Sequence, residues 1–461
     1  MRPKTWMEEH EKEFIDDICE LVRIPSVSER TQVKGMPFGK HCLEALEKAL
    51  EIGRRMGFQT YNHEGYCASL LWNGETESEI GLFGHTDVVP AGDGWSSDPY
   101  QPAVKDGVII GRGSSDNKGS LMSALYALRY LKETGYQPRH SFRFFLGSNE
   151  EKGMEDISYY TEHYGEPEFS IVPDVQFPVC NGEKGILEID AACRLDSKVL
   201  TWFQSGIMSN SVPASASAVI ADSGDMEERL SGTGAAVESL GNGRYSVSVR
   251  GIGAHAAFPE GSESAEVKLA KILLEADILD PAAAAVMKAV VSFFGDYYGA
   301  GLDIPFEDSL SGKLTHVGGM ARYDGKVFRQ NINIRYNVKA DYDEMIKRIE
   351  NSLMKYGFFI EKIHDNKPCF TDPDSPAAAE LVKICNDHLK MELKPYVMGG
   401  GTYARKLKHA VGFGPGMPGG KKLFGETRGS AHQPDEYAEI KSLKAAFEIY
   451  VDAIRKLDEL V

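Results

Sequence analysis

The sequence predicts an α/β domain with a mostly parallel sheet, into which an α+β domain is inserted. Apolar strand-like runs alternate with helical patterns over the first 184 residues or so, as they do in βαβ units. Helical patterns lie at 14–22, where Pro25 prevents the helix from continuing, and at 42–57 and 121–131. Strands are predicted at 68–72, 79–83, 142–146 and 169–172, and a polar glycine loop at 111–119.

The inserted domain is predicted from a change in these patterns. Residues 187–191, 245–249 and 331–338 alternate apolar and polar side chains as half-exposed antiparallel strands do. Helical patterns accompany them, and the turn-rich segment 367–376 marks a second boundary, after which α/β patterning resumes. We therefore predict one domain formed by residues 1–184 and 367–461, and a second formed by residues 185–366.

Composition excludes several classes of protein. A chain of 461 residues is too long for one ordinary core, which agrees with two domains. The net charge of −17 argues against a nucleic-acid-binding protein and against a protein held on an anionic membrane. The longest apolar stretch, residues 282–294, is too short to span a bilayer.

The cysteines and the first residues indicate a cytoplasmic protein. The seven cysteines are widely spaced and form no CxxC pair, so a disulfide framework or a thiolate zinc site is not expected. Residues 1–13 are polar and acid-rich and do not resemble a secretory signal.

Polar side chains follow the predicted strands directly. His85 comes after 80–83, Glu150 and Glu151 after 142–146, and Asp174 after 169–172. Ligands of parallel α/β sheets bind outside the carboxyl ends of the strands. We therefore expect these side chains to converge on one crevice.

These residues, with two others, predict a metal site. Asp116 lies in the glycine loop and His432 in the segment 429–436. Two histidines and three carboxylates (His85, Asp116, Glu151, Asp174 and His432) suit one or two divalent ions of the zinc, manganese or cobalt type. Glu150 is then a spare carboxylate that could act as a base, and Asp87 could orient the ring of His85.

Taken singly, each residue also has a structural explanation. Adjacent glutamates such as Glu150 and Glu151 are usually solvated, and an aspartate in a glycine loop is usually a turn residue. His432 could be a surface histidine and His255 a packed strand-end histidine. Arg335 could be an outer-face charge on its strand.

Three motifs together resemble one known family. They are His85-Thr86-Asp87-Val88-Val89-Pro90, the loop Gly111-Arg112-Gly113 with Asp116-Asn117-Lys118-Gly119, and the pair Glu150-Glu151. They are similar to motifs of the co-catalytic zinc metallopeptidases, which include aminoacylase, acetylornithine deacetylase and carnosinase. The segment 399–405 and the long middle domain resemble the PepV-type dipeptidases of that family in particular.

The resemblance implies a phosphorylase/hydrolase-like catalytic domain that holds two zinc ions. Asp116 would bridge the ions, His85 and Asp174 would complete one site, and Glu151 and His432 the other. Asp87 would orient His85, and Glu150 would be general base and then general acid. The Asp116–Asn117 peptide bond would be cis, as it is in relatives.

The inserted domain would be a lid that carries substrate-binding residues. By resemblance, His255 would help to bind the oxyanion, Asn210 would contact the substrate, and Arg335 would hold its free carboxylate. Gly401 and Thr402 are the expected further contacts of that carboxylate.

The sequence therefore predicts a dipeptidase whose partner is a small peptide substrate. An N-acyl amino acid deacylase with the same metal site is the alternative enzyme, and a catalytically silent metal- or peptide-binding relative is the alternative without activity. A monomer is favoured over a homodimer, because a long lid with an internal duplication resembles relatives that stay monomeric.

Overall fold

The computed structural model describes residues 1–221, 226–420, 422–425 and 427–461. The chain forms two compact units, each with its own hydrophobic core. The first unit comprises Met1–Gly182, Phe370–Tyr396 and Gly401–Val461, and the second comprises Glu183–Cys369 with Val397–Gly400.

The first segment of the chain alternates strands and helices. Its helices are α1 (Pro3–Val22), α2 (Lys40–Arg55), α3 (Lys118–Glu133) and α4 (Glu155–Tyr164). Its strands are β1 (Gln59–His63), β2 (Cys67–Trp72), β3 (Glu79–His85), β4 (Ala103–Lys105), β5 (Val108–Ile110), β6 (Ser141–Gly147), β7 (Phe169–Val172), β8 (Val175–Gln176) and β9 (Cys180–Glu183).

The middle segment is richer in long strands. They are β10 (Gly185–Arg194), β11 (Leu200–Ser205), β12 (Ser215–Ala221), β13 (Ala236–Gly241), β14 (Arg244–Arg250), β15 (Glu307–Asp308), β16 (Gly312–Lys313), β17 (Thr315–Tyr323), β18 (Val327–Tyr336) and β19 (Phe359–Asn366). Its helices are α5 (Met226–Arg229), α6 (Ala265–Glu275), α7 (Pro281–Phe294) and α8 (Tyr342–Met354).

The last segment lies mainly in the first unit. Its strands are β20 (Cys369–Phe370), β21 (Tyr396–Met398), β22 (Ala410–Gly412), β23 (Pro415–Gly416) and β24 (Tyr437–Glu439), and its helices are α9 (Pro376–Leu389) and α10 (Ile440–Leu460). Among the helices of the described residues, none has both the length and the apolar composition that a bilayer span requires.

The main sheet of the first unit is parallel at its centre. The strand order runs β1-β2-β6-β3-β7-β22-β9, with parallel pairing from β6 to β22 and antiparallel pairing outside these strands. Leu82 and Phe83 of β3 pack into different hydrophobic clusters, as do Phe144 and Phe145 of β6. The central strands are therefore buried on both faces, which explains their continuous apolar runs.

The second unit is built on an antiparallel sheet of order β13-β14-β12-β11-β17-β18-β10-β19. Helices α6, α7 and α8 share a hydrophobic core with the sheet. Each of these helices begins at a side-chain N-cap, which is Ser264, Asp280 or Asp341. The predicted fold class, an α/β domain with an inserted α+β domain, is confirmed, and the sheet of the α/β unit is mixed at its edges.

Candidate metal centre

The first group of possible ligands lies at the carboxyl ends of β3 and β7. His85 is the last residue of β3, and Asp174 follows β7. The Nε2 atom of His85 lies 3.2 Å from Oδ1 of Asp116 and 3.7 Å from Oδ2 of Asp174. Ligand atoms of these three residues all lie within 4.8 Å of one another, a spacing at which one cation could touch all three.

The second group shares Asp116 with the first. The Nε2 atom of His432 lies 3.2 Å from Oδ2 of Asp116 and 3.0 Å from Oε2 of Glu151. Because Asp116 directs one oxygen to each group, its carboxylate has the arrangement of a bridge between two cations. The structure thus brings all five predicted ligands together.

The donor set fits two divalent cations. The Nε2 atom of His85 is buried and makes no hydrogen bond of good geometry within the described part of the chain, so it is available as a ligand. Three carboxylates face two imidazoles, which is the mixture of oxygen and nitrogen ligands that zinc and similar ions take. Without cations, the negative charges would repel one another at close range.

The pKa shifts of His432 and Asp116 show the same pairing. Burial alone would lower the pKa of His432, but its contacts with Asp116 and Glu151 raise it to about 11. Burial alone would raise the pKa of Asp116, but His432 and His85 hold it below its ordinary value. The charged form of each group is therefore stabilised by its oppositely charged neighbours. A bound cation would take the place of the imidazolium protons.

Asp87 supports the site without entering either ligand group. The Nδ1–H of His85 donates to the backbone carbonyl of Asp87 at 3.0 Å, and the Asp87 carboxylate lies 3.4 Å from the same nitrogen. The two carboxylate oxygens accept hydrogen bonds from the amides of Glu150 at 3.2 Å and Glu151 at 3.1 Å. One buried side chain thus lies between the ring of His85 and the glutamate pair.

Glu150, like Asp87, is a buried carboxyl group that belongs to neither group of ligands. It begins a short 3-10 turn, Glu150–Lys152, directly after Asn149, and its Oε1 atom is buried with no hydrogen-bond partner among the described residues. Burial raises the pKa of Glu150 well above its ordinary value, and the charges of Asp174 and Glu151 add to this against the opposing effect of His85. A carboxylate whose pKa is raised in this way is a stronger base than an ordinary glutamate.

The glycine loop is held by Glu436, which the sequence analysis did not identify. The buried carboxylate of Glu436 accepts hydrogen bonds from the amides of Ser115 and Asp116, both at 2.9 Å, and from Nη1 of Arg112 at 2.6 Å. The sequence signal was slight, since Glu436 only ends the segment that contains His432.

Asn117 is a second supporting residue that was missed. Its Nδ2 atom donates to Oδ1 of Asp174 at 2.8 Å and to the carbonyl of Pro173 at 2.7 Å. The predicted cis peptide bond between Asp116 and Asn117 is confirmed.

The remaining predicted site residues are divided between the units. Asn210, His255 and Arg335 belong to the second unit, whereas Gly401 and Thr402 belong to the first. Within the second unit, the amide of Ala256 donates to the carbonyl of Asn210 at 2.9 Å, which places His255 beside Asn210 along the backbone.

Arg335 is buried and oriented by two acceptors of its own unit. Its Nε donates to Oδ1 of Asn333 at 2.9 Å, and its Nη1 donates to the carbonyl of Gly399 at 3.0 Å. Thr402 is buried as well, and its hydroxyl accepts a hydrogen bond from the amide of Ala404 at 3.2 Å.

Comparison with known proteins identifies the family. Residues 81–456 match the family described as Peptidase family M20/M25/M40. A Bacillus subtilis (strain 168) protein named "Putative dipeptidase YtjP" is 35% identical over 97% of both chains. A Beta-Ala-Xaa dipeptidase of Lactobacillus delbrueckii subsp. lactis is 30% identical over 96% of both chains.

Solved structures agree at the level of the fold. Human carnosine dipeptidase 1 has a TM-score of 0.59 at 14% identity, and the match covers 99% of this chain and 98% of that chain. The family match and the full-length relatives confirm the resemblance seen in the motifs, so this chain belongs to peptidase family M20/M25/M40 and is a metallopeptidase-type hydrolase.

Proposed function

We propose that this protein is a dipeptidase that uses two divalent cations and Glu150 to hydrolyse a peptide bond. The observation that carries the proposal is the shared carboxylate of Asp116, which has His85 beside one oxygen and His432 beside the other. Asp174 lies next to His85, and Glu151 lies next to His432. We assign zinc to both positions. Manganese and cobalt suit the same ligands.

The cations would supply positive charge that acidifies a water molecule and polarises the scissile carbonyl. The residues of the chain do the rest. Glu150, which has a free buried oxygen and a raised pKa, takes a proton from the attacking water. It then delivers that proton to the nitrogen of the departing amine. Asp87 keeps both His85 and the backbone of Glu150 in place during these transfers.

We assign substrate-binding roles to residues of both units. Arg335 would bind the free carboxylate of the substrate, because a guanidinium can hold a carboxylate through two parallel hydrogen bonds. His255 would donate to the oxyanion that forms at the scissile carbon. Asn210, Gly401 and Thr402 would complete the contacts of the peptide.

A dipeptidase is proposed ahead of a deacylase because full-length relatives carry that name. A panel of dipeptides and N-acetyl amino acids separates the two activities. Cleavage of acetylated substrates alone would show that the protein is a deacylase. If the zinc-loaded protein cleaved neither class, it would be a catalytically silent relative that binds metal or peptide.

The first prediction concerns the base itself. Glu150→Gln should lower kcat by about 10²–10⁴-fold, which is the usual contribution of a general acid or base. Two metal ions per chain should remain, because Glu150 belongs to neither ligand group. The measurements are dipeptide hydrolysis and metal content by emission spectroscopy.

Glu155→Gln is the matched control, since Glu155 is an exposed residue of the next helix, paired with Arg30. Unchanged hydrolysis by Glu150→Gln would remove the assigned base. A loss of metal would show instead that Glu150 is a ligand.

The cysteines indicate the compartment in which the protein acts. None of the seven cysteines, all of which lie in the described residues, forms a disulfide, and six of them are buried. Free thiols are typical of a reducing compartment, so we place the enzyme in the cytoplasm. We further propose that it acts as a monomer.

A further inference from the structure

The turn that leads into Glu150 is held by two buried carboxylates. Asp156 accepts hydrogen bonds from the amide of Ser148 at 2.7 Å and of Asn149 at 2.9 Å, both through Oδ2. Asp87 accepts those of the next two residues, Glu150 and Glu151. Four consecutive amides of this turn, residues 148–151, are thus bound by side chains rather than by the backbone.

Asp156 is itself oriented by Tyr403. The hydroxyl of Tyr403 donates to Oδ2 of Asp156, the same oxygen that accepts the two amides. Both side chains are buried, and the Tyr403 ring packs edge-on against His85 and Phe145.

The backbone must approach this pair closely. A Cβ atom at Gly147 would collide with the Tyr403 hydroxyl and would lie 2.7 Å from Oδ2 of Asp156. Gly147 is the last residue of β6, so the Tyr403–Asp156 pair lies directly at the end of that strand. A residue with a side chain at position 147 would therefore displace the pair.

The side chain of Glu150 depends on this support. Its Oε1 atom makes no hydrogen bond within the residues that the structure describes, so the aim of that oxygen is set by the backbone and by packing. A misplacement of about 1 Å in a catalytic group can cost about 10²-fold in rate. If the amides of Ser148 and Asn149 lost their hydrogen bonds, Glu150, which directly follows them, would therefore be displaced.

We propose that Asp156 and Tyr403 are positioning residues for Glu150, with Tyr403 fixing Asp156 and Asp156 fixing the turn. The inference rests on the proposed function in one respect, that Glu150 is the base. Tyr403 directly follows Thr402, whose hydroxyl caps the 3-10 turn Tyr403–Lys406. The turn that carries a proposed substrate contact thus also carries the support of the base.

Tyr403→Phe tests the proposal with little change in packing, because only the hydroxyl is removed. We expect kcat for dipeptides to fall about 10-fold, with KM within about twofold of wild type and two metal ions still bound. Tyr160→Phe is the matched control, since Tyr160 is a buried tyrosine of the same hydrophobic cluster that is not a donor to Asp156. A Tyr403→Phe enzyme whose kcat equals that of Tyr160→Phe would overturn the proposal.

Hydrogen exchange supplies a readout that does not need activity. Peptides that cover residues 147–153 should exchange at least about 10-fold faster in Tyr403→Phe and Asp156→Asn than in Tyr160→Phe, because the bound amides are released. Unchanged exchange in both variants would overturn the support of the turn. If wild type cleaves no dipeptide, the proposed function fails, and exchange still decides whether Tyr403 and Asp156 hold the turn.

Discussion

Asp87 accepts three hydrogen bonds that hold its neighbours in place. Its carboxylate binds the amides of Glu150 and Glu151, and its backbone carbonyl binds the ring of His85. Asp87→Asn keeps the backbone carbonyl that binds His85. It replaces one carboxylate oxygen with an NH₂ group, which faces a backbone N–H and cannot accept a hydrogen bond from it. Metal affinity or kcat should therefore fall by about 10–100-fold, the usual effect of losing such a support, while the site still binds metal.

Competition with a chelating dye measures the affinity, and dipeptide hydrolysis measures kcat. Asp93→Asn is the control, since Asp93 is exposed in the loop that follows the same strand. A site that holds no metal in Asp87→Asn would mean that Asp87 is a ligand. Wild-type affinity and rate would mean that its two amide bonds are dispensable.

At the scale of an element, Glu436 holds the loop that presents Asp116. It accepts from the amides of Gly113, Ser115 and Asp116 and from Arg112, and the ion pair with Arg112 is buried. Glu436→Gln leaves Arg112 without its ionic partner, and breaking a buried pair costs about 3–5 kcal/mol. We expect a loss of unfolding free energy of this size, with weaker metal binding.

Urea unfolding of the metal-free and metal-loaded proteins measures both effects. Glu439→Gln is the control, because Glu439 is only partly buried and contacts Ser442 and Lys441. A variant as stable as this control would show that the loop keeps its conformation without the Glu436 carboxylate.

The same element shows what the sequence could and could not predict. His85 and Asp174 were found because apolar runs end directly before them, and strand ends of a parallel sheet meet. Glu436 was missed because its partners lie more than 300 residues away in the chain. Asp156 was missed for a related reason, since its orienting donor is Tyr403. Periodicity reports burial, and it does not report which buried groups pair.

The antiparallel edges of the main sheet were not predicted either. Strand β2 was predicted from its apolar run and β1 was not, and nothing in an apolar run tells whether its neighbour is parallel. The parallel centre was predicted correctly because parallel neighbours need a long crossover connection, which is usually a helix.

At the scale of the whole molecule, the second unit contains a buried acid that its stability must accommodate. Glu266 lies in the first turn of α6 with both carboxyl oxygens buried and without a hydrogen-bond partner of good geometry in the described residues. Burial raises the pKa of Glu266 from 4.5 to about 8, against the opposing effect of Gln330 and Ser205. The helix dipole would favour the anion by only about 0.3–1 kcal/mol, so burial prevails.

The sign of the pH dependence follows from the direction of this shift. The unfolded chain releases the Glu266 proton above about pH 4.5, whereas the folded chain retains it until about pH 8. The contribution of Glu266 to folded stability is therefore greatest below pH 4.5 and declines as the pH rises to 8. At about 1.4 kcal/mol per pH unit, the decline reaches up to about 4 kcal/mol at pH 8 and less than about 1 kcal/mol at pH 5.

Glu266→Gln should remove this decline, because an amide of the same size carries no proton to lose. The variant should be more stable than wild type by up to about 4 kcal/mol at pH 8, and nearly equal to it at pH 5. Urea unfolding at the two pH values, followed by hydrogen exchange in peptides of the second unit, gives the difference. Glu263→Gln, which alters a more exposed glutamate paired with Lys268, should show no such dependence. An equal gain at both pH values would mean that Glu266 is already ionised in the folded protein at pH 5.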